Sequence, residues 1–187
     1  YYSWKGLKYV PSWGGSLFEA LMPLLVLDEL QYAPASLGQN AAVHTEIQRY
    51  FALEYLGYPV WGLSPSSTPA SHRYGEYGVR ILGTRGYRAG VVTPHAAVLA
   101  LMTKPAAALL NLRQLAQRYP LYGDFGFYDA VDPKTGQAAY NYLALDQSMI
   151  LIALANYLRG GVIQHYFATD PIIQSVLPLL GAEHFFN

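Results

Sequence analysis

Residues 61–95 read WGLSPSSTPASHRYGEYGVRILGTRGYRAGVVTPH, and how this stretch is read decides the fold. It stands between two segments of helical periodicity and is too long for a simple connector. Inside a compact domain, structureless connections above roughly 12–15 residues are functional or disordered. Disorder is disfavoured, because Trp61, Tyr74, Tyr77 and Tyr87 are bulky anchors rather than the small polar residues of a flexible linker. Its glycines let the backbone turn and approach a ligand closely. Glu76, His72, Arg73, Arg80 and His95 add polar chemistry. Aromatic faces accept pyranose rings and polar groups meet sugar hydroxyls, so the stretch suits the wall of a sugar-binding cleft.

Outward from this loop, the periodicity is helical. Ser16 is placed to cap a helix over 16–30 whose apolar face carries Leu17, Leu21, Leu24, Leu25 and Leu27. Pro23 falls inside it and predicts a kink near Glu19, because proline cannot donate to the carbonyl four residues back and crowds it. Asn40 is expected to cap a second helix over 40–55, stopped by Gly57. Thr93-Pro94 opens a helix to about residue 103, and Pro105 opens another to 119. A second aromatic, glycine-bearing loop spans 122–142, where residues 132–136 (DPKTG) form a turn signal between two short strands. Helices over 143–159, 162–167 and 171–180 complete the pattern. No strand run is long enough for a sheet core. Helix pairs alternating with aromatic loops predict an all-α toroid whose loops gather at one end as a cleft.

Composition narrows the function. Of 187 residues, 52% are apolar and only 13% charged, against roughly 25% charged in ordinary soluble domains. The chain therefore buries an unusually large core or has part of its surface covered by more protein. A net charge of zero and the absence of a basic run argue against nucleic acid. Cysteine is absent, which excludes disulfides and thiolate metal sites. His44, His72, His95, His165 and His184 show no HExxH-like spacing, so no metal is expected. The apolar runs 17–27 and 149–158 fall short of the ~20 residues of a membrane span. The chain opens on Tyr1 rather than Met, which leads us to expect a removed leader or missing upstream sequence.

Several motifs together resemble one family. Residues 13–19 (WGGSLFE) with Leu21-Met22-Pro23 match the opening signature of the bacterial glucoamylase-like domain. Residues 61–64 (WGLS), 74–79 (YGEYGV), 91–95 (VVTPH), 126–131 (GFYDAV) and 146–149 (DQSM) are similar to its later motifs, in the same order. The resemblance runs from Trp13 to about Tyr166. It implies an (α/α)6 barrel, of which this chain would be the C-terminal half, completed by a missing N-terminal half or a partner chain. It also implies activity on a β-glucan, β-1,2-linked first, in an endo-β-1,2-glucanase or the corresponding domain of a cyclic β-1,2-glucan synthase. The expected substrate is an oligo- or polysaccharide, and the expected location is bacterial, in the periplasm or outside the cell. Ala70-Ser71 and Ser148 depart from the family pattern. Together with the short length they motivate an alternative: a non-catalytic glycan-binding or assembly module that kept the cleft. A metal-dependent terpene-cyclase toroid ranks below both, because the sequence has no DDxxD-like motif.

Glycoside hydrolysis uses two carboxyl groups, one protonated and one ionised, and calls for no cofactor. Glu19, set among Leu17, Phe18, Ala20 and Leu21, is the expected acid, since apolar burial favours the neutral form. Its opposing reading is a structural carboxylate bonded to a neighbouring loop's backbone. Glu76, between tyrosines and glycines, is a catalytic or sugar-binding candidate. Asp146, in the first turn of a helix, is a candidate base, the helix dipole favouring its ionised form. Trp13, Trp61 and Tyr77 are expected stacking faces, and His95, Tyr128, Asp129 and Gln147 are expected to contact substrate. For each aromatic, burial in the core is the competing reading; for His95 it is a packed, hydrogen-bonded side chain, for Asp129 turn bracing, and for Asp146 a helix-start device.

Overall fold

The computed structural model describes residues 1–71 and 73–186. Helices build the chain, and its strands form four two-stranded antiparallel ribbons. The first ribbon joins β1 (Tyr2–Trp4) and β2 (Leu7–Tyr9). It leads into α1 (Leu17–Leu21), which Ser16 caps as expected: its hydroxyl accepts from the Glu19 amide at 3.2 Å, and the Glu19 carboxylate accepts from the Ser16 amide at 3.2 Å.

The single kinked helix expected over 16–30 is instead broken. Pro23 ends α1 and starts a 3-10 turn over Met22–Leu25, after which Asp28 caps a separate one-turn helix, α2 (Glu29–Tyr32), by accepting from the Gln31 amide. A missing N–H and a steric clash, so near the start of a helix, leave too little helix to bend.

The next helix, α3 (Leu37–Tyr50), starts before Asn40, so Asn40 is not its cap. Its side-chain amide instead accepts from Val10 N at 2.8 Å and donates to Val10 O at 3.1 Å, completing the backbone pairing that β2 leaves open at its end. His44 Nε2, one turn on, also meets Val10 O at 2.8 Å. A π-turn over Phe51–Tyr55 extends the helix to Gly57, whose φ of 66° is the left-handed stop the sequence signals.

The first part of the long connector is threaded through the interior. Trp61 and Leu63 lie in the main core, and a buried backbone must find partners for its amides and carbonyls. Helix side chains supply them. Gln48 of α3 donates to Leu63 O and Gly15 O and accepts from Leu63 N. Asn111 accepts from Trp61 N and donates to Trp61 O, from within α5 (Pro105–Arg118). The connector also forms the ribbon β3 (Ser66–Ser67) with β4 (Tyr74–Gly75), a 3-10 turn over Arg80–Leu82 and then α4 (Pro94–Leu99).

After α5 come the ribbons β5 (Tyr122–Gly123) with β6 (Gly126–Phe127) and β7 (Ala130–Val131) with β8 (Ala138–Ala139). The second is closed by the turn read at 132–136, where Lys134 N donates to the Asp132 carboxylate and Gly136 takes φ 77°. The chain ends in α6 (Ala144–Leu158), α7 (Val162–Ala168) and α8 (Pro171–Ala182). α4 packs against α1, α5 and α6, with Leu17, Leu21, Ile47, Leu99 and Met149 in the shared core. The outer side of α6 carries Leu145, Leu151 and Leu158 in solvent, and α8 buries none of its residues. Among the described residues, no helix is long and apolar enough to cross a membrane.

Candidate functional site

Two groups of side chains lie at the loop end of the helices: an exposed rim and a buried acid cluster beneath it. The rim begins at Trp13, which is 56% exposed with the Arg85 guanidinium 5.2 Å from its ring centre. Tyr87 packs on the adjacent backbone so closely that a Cβ on Gly14 would lie 2.0 Å from its ring. Gly15 sits at φ 76°, where a Cβ would strike the Val79 carbonyl. The Gly14-Gly15 pair is therefore dictated by what crosses it. Burial, then the Glu19 and Glu76 charges, push the Tyr87 phenol up. Glu76 is exposed beside it. Tyr74, on β4, is raised by burial first and then by Asp146, Asp129, Tyr87 and Glu76, which places it between the rim and the cluster below.

Glu19, the expected acid, is held by its own loop. Its carboxylate accepts from Gly14 N with both oxygens at 3.0 and 2.9 Å, from Ser12 Oγ at 2.8 Å and from Ser16 N. The apolar pocket inferred from its sequence neighbours is absent: Leu17 and Leu21 turn into the core, while Glu19 turns back onto its own loop. The surroundings are those of the structural carboxylate.

Beneath the rim, His95 at the start of α4, Asp129 before β7 and Asp146 in the first turn of α6 converge. They are 1%, 2% and 5% exposed. His95 Nδ1 lies 3.0 Å from Asp146 Oδ2, and His95 Nε2 lies 3.0 Å from Ser64 Oγ. The Ser67 amide donates to Asp129 Oδ2 at 2.6 Å, and the Asn141 amide group donates to Ser67 Oγ at 2.5 Å. Burial, and then the facing Asp146, push the Asp129 carboxyl up to about 7. Burial acts the same way on Asp146, but His95 and Asp129 more than reverse it and hold that carboxyl below its ordinary range. Apart from the His95–Asp146 ion pair, His95 Nδ1, Asp129 Oδ1 and Asp146 Oδ2 are buried without a hydrogen-bond partner.

Several of the residues expected to contact substrate are buried. Trp61 is a core residue at 3% exposure. Tyr77 is 4% exposed, with its ring against Gly75 and Gly90 and its hydroxyl 2.8 Å from Thr68 Oγ1. His95, Asp129 and Asp146 are sealed beneath the loops. Trp13 and Glu76 remain open. Tyr128 is half-buried against Tyr140 and Tyr142, and Gln147 is half-buried, donating to Phe127 O at 3.1 Å. Sequence reading missed Arg85, Tyr140 and Tyr142. The signal available for the tyrosines was their spacing of two in the second aromatic loop, which puts both on one side of an extended segment. His72 lies outside the described residues.

Comparison with known proteins agrees with this architecture. The family model Glycoamylase, described as "Putative glucoamylase", matches residues 2–171. The cyclic β-(1,2)-glucan synthase NdvB of Rhizobium meliloti is 35% identical over 185 residues, taking in 90% of this chain and 6% of that protein. A crystal structure of a "putative glucoamylase" from Bacteroides uniformis superposes with a TM-score of 0.77 at 28% identity, covering 96% of this chain and 45% of that one. An endo-β-1,2-glucanase from Chitinophaga pinensis, solved with sophorotriose and glucose, shares the fold with a TM-score of 0.75 at 24% identity, over 95% of this chain and 45% of that one. The chain thus spans less than half the length of these relatives. With a family model matched over most of its length, the chain belongs to the Glycoamylase family.

Proposed function

We propose that this chain supplies one wall of a carbohydrate cleft in a longer protein that hydrolyses or transfers β-glucan, β-1,2-linked in the first instance. In this reading it forms the C-terminal half of an (α/α)6 barrel. Two observations support the half-barrel: it covers 45% of the Bacteroides structure while almost all of it is matched, and the leucines on the outer side of α6 lack a covering layer.

The observation that carries the chemistry is Glu76, an exposed carboxyl on the same rim as Trp13, Tyr74 and Tyr87. A sugar ring stacked on Trp13 would present its hydroxyls to Arg85 and Tyr87, and its glycosidic oxygen to Glu76. Glu76 would act as the acid at the leaving oxygen, and a second carboxylate from the rest of the barrel would activate water or an acceptor hydroxyl. Asp146, buried and facing His95, would hold the loops under the rim rather than touch sugar. The test is to incubate the full-length protein with a panel of glucans and follow oligosaccharide release or transfer. Absence of any product with every glucan would sink the reading.

A second reading has its own support. Glu19 and Asp146, two of the three expected catalytic carboxyls, are both held in structural contacts. A glycan-binding module that kept the cleft predicts affinity without turnover, and the same panel read by calorimetry separates the two.

A further inference from the structure

We propose that His95, Asp129 and Asp146 bind one divalent transition-metal ion that ties the loops together beneath the rim. The three residues come from separate segments, and one ligand atom from each can be chosen so that all lie within 4.8 Å of one another. Three of the six buried polar atoms without a hydrogen-bond partner among the described residues, His95 Nδ1, Asp129 Oδ1 and Asp146 Oδ2, belong to these same residues, each more than nine-tenths buried, and the first and last face each other at 3.0 Å. Buried polar atoms are almost always satisfied, so three such atoms in one place suit an occupant that all of them can ligate.

The geometry fits an ion. Two ligands each about 2.1 Å from a metal, at adjacent corners of an octahedron, stand roughly 3.0 Å apart. His95 Nδ1 and Asp146 Oδ2 are separated by 3.0 Å.

The surroundings fit as well. Ligating histidines usually engage a partner through the other ring nitrogen, and here Nε2 meets Ser64 Oγ at 3.0 Å. Ser67 N holds Asp129 Oδ2, and Asn141 holds the Ser67 hydroxyl, so Asp129 presents its free oxygen from a braced position. A buried pair of carboxylates beside an imidazole is neutralised either by protons or by one divalent cation, and the test below separates the two. An imidazole with two carboxylates suits Mn²⁺, Fe²⁺ or Zn²⁺ better than Ca²⁺. The nitrogen ligand distinguishes this from an all-oxygen site.

The proposal is independent of the glycan reading, and its test needs no turnover. Full-length protein is compared with the Asp129→Asn/Asp146→Asn double variant for metal by plasma mass spectrometry, and for melting before and after chelation. The wild type is expected to carry one equivalent more metal than the variant. It should lose about 5 °C or more of melting temperature on chelation and regain it with Mn²⁺ or Zn²⁺, while the variant stays indifferent. Equal metal content, with a wild-type melt unmoved by chelator or ions, would mean that protons alone neutralise the cluster and would overturn the proposal. Should the variant fail to fold, a wild-type crystal soaked in Mn²⁺ decides the matter. An anomalous peak between His95 Nδ1 and Asp146 Oδ2 supports the site, and an empty difference map rejects it.

Discussion

The side-chain amide of Gln48 replaces a strand neighbour for Leu63: its nitrogen donates to the Leu63 carbonyl at 3.1 Å and its oxygen accepts from the Leu63 amide at 3.0 Å. The same nitrogen also reaches Gly15 O at 2.8 Å. One buried glutamine thus holds the long connector to α3 and to the glycine pair next to Trp13.

Gln48→Leu keeps the volume and removes every one of these bonds. It leaves the buried Leu63 amide without a partner, at about 1–3 kcal/mol, while Leu63 O and Gly15 O keep the Leu17 and Val79 amides. The expected loss is about 1–3 kcal/mol in urea unfolding, with no change in the number of transitions. A loss under ~1 kcal/mol would mean that the connector has other means of satisfying its backbone.

Glu29, on α2, is 5% exposed, and burial pushes its carboxyl up to about 7. The folded state therefore holds a proton that the unfolded chain, titrating near 4.5, gives up more readily. The resulting stability is complete below pH 4.5 and is lost as the pH rises towards 7, on the order of 3 kcal/mol in total. Glu29→Gln should flatten that part of the stability–pH curve, which denaturant titrations at pH 5 and pH 8 would show.

Glu76 and Glu19 should separate cleanly in function. Glu76→Gln in the full-length protein is expected to lower kcat by roughly 10²–10⁴-fold and leave unfolding within ~0.5 kcal/mol of wild type. Glu19→Gln places an amide NH₂ against the Gly14 and Ser16 amides. It should cost about 1–2 kcal/mol of stability through the lost capping box, with turnover within a few-fold. The opposite pattern would return the acid role to Glu19.

Trp13→Ala tests the stacking face. Losing one exposed ring is worth about 0.5–1.5 kcal/mol of contact, so glycan affinity should weaken roughly tenfold with stability unchanged. Gly14→Ala should weaken it too, because the new methyl displaces Tyr87. Titration calorimetry with a β-1,2-oligosaccharide reads both.

Much of the helical frame could be read directly from residue pattern. α5 opens at Pro105 and α6 runs to Leu158 as their apolar spacing and stop signals require, and the turn after Val131 follows from Asp132 and Gly136. The errors have physical causes. Pro23 falls too early in its helix to bend it, and Asn40 pairs with Val10 across thirty residues, a partner no local pattern reveals. Glu19 has apolar neighbours in sequence yet polar ones in space, because on a short helix consecutive residues face different ways. Trp61 and Tyr77 illustrate that a large ring serves core and cleft equally well, and only its neighbours decide. The His95–Asp129–Asp146 cluster joins three distant segments, so a search for local metal spacing could not find it.

The amide clamps of Gln48 and Asn111 divide the connector into parts with different freedom to vary. Where the helices grip its backbone, at Trp61 and Leu63, a substitution is felt throughout the interior. At the open end, Trp13, Tyr74 and Arg85 stand clear of the packed layers. Exchanging those side chains offers a route to altered sugar preference that leaves the scaffold intact, so libraries aimed at new specificity belong there and not at the motif tryptophan, Trp61.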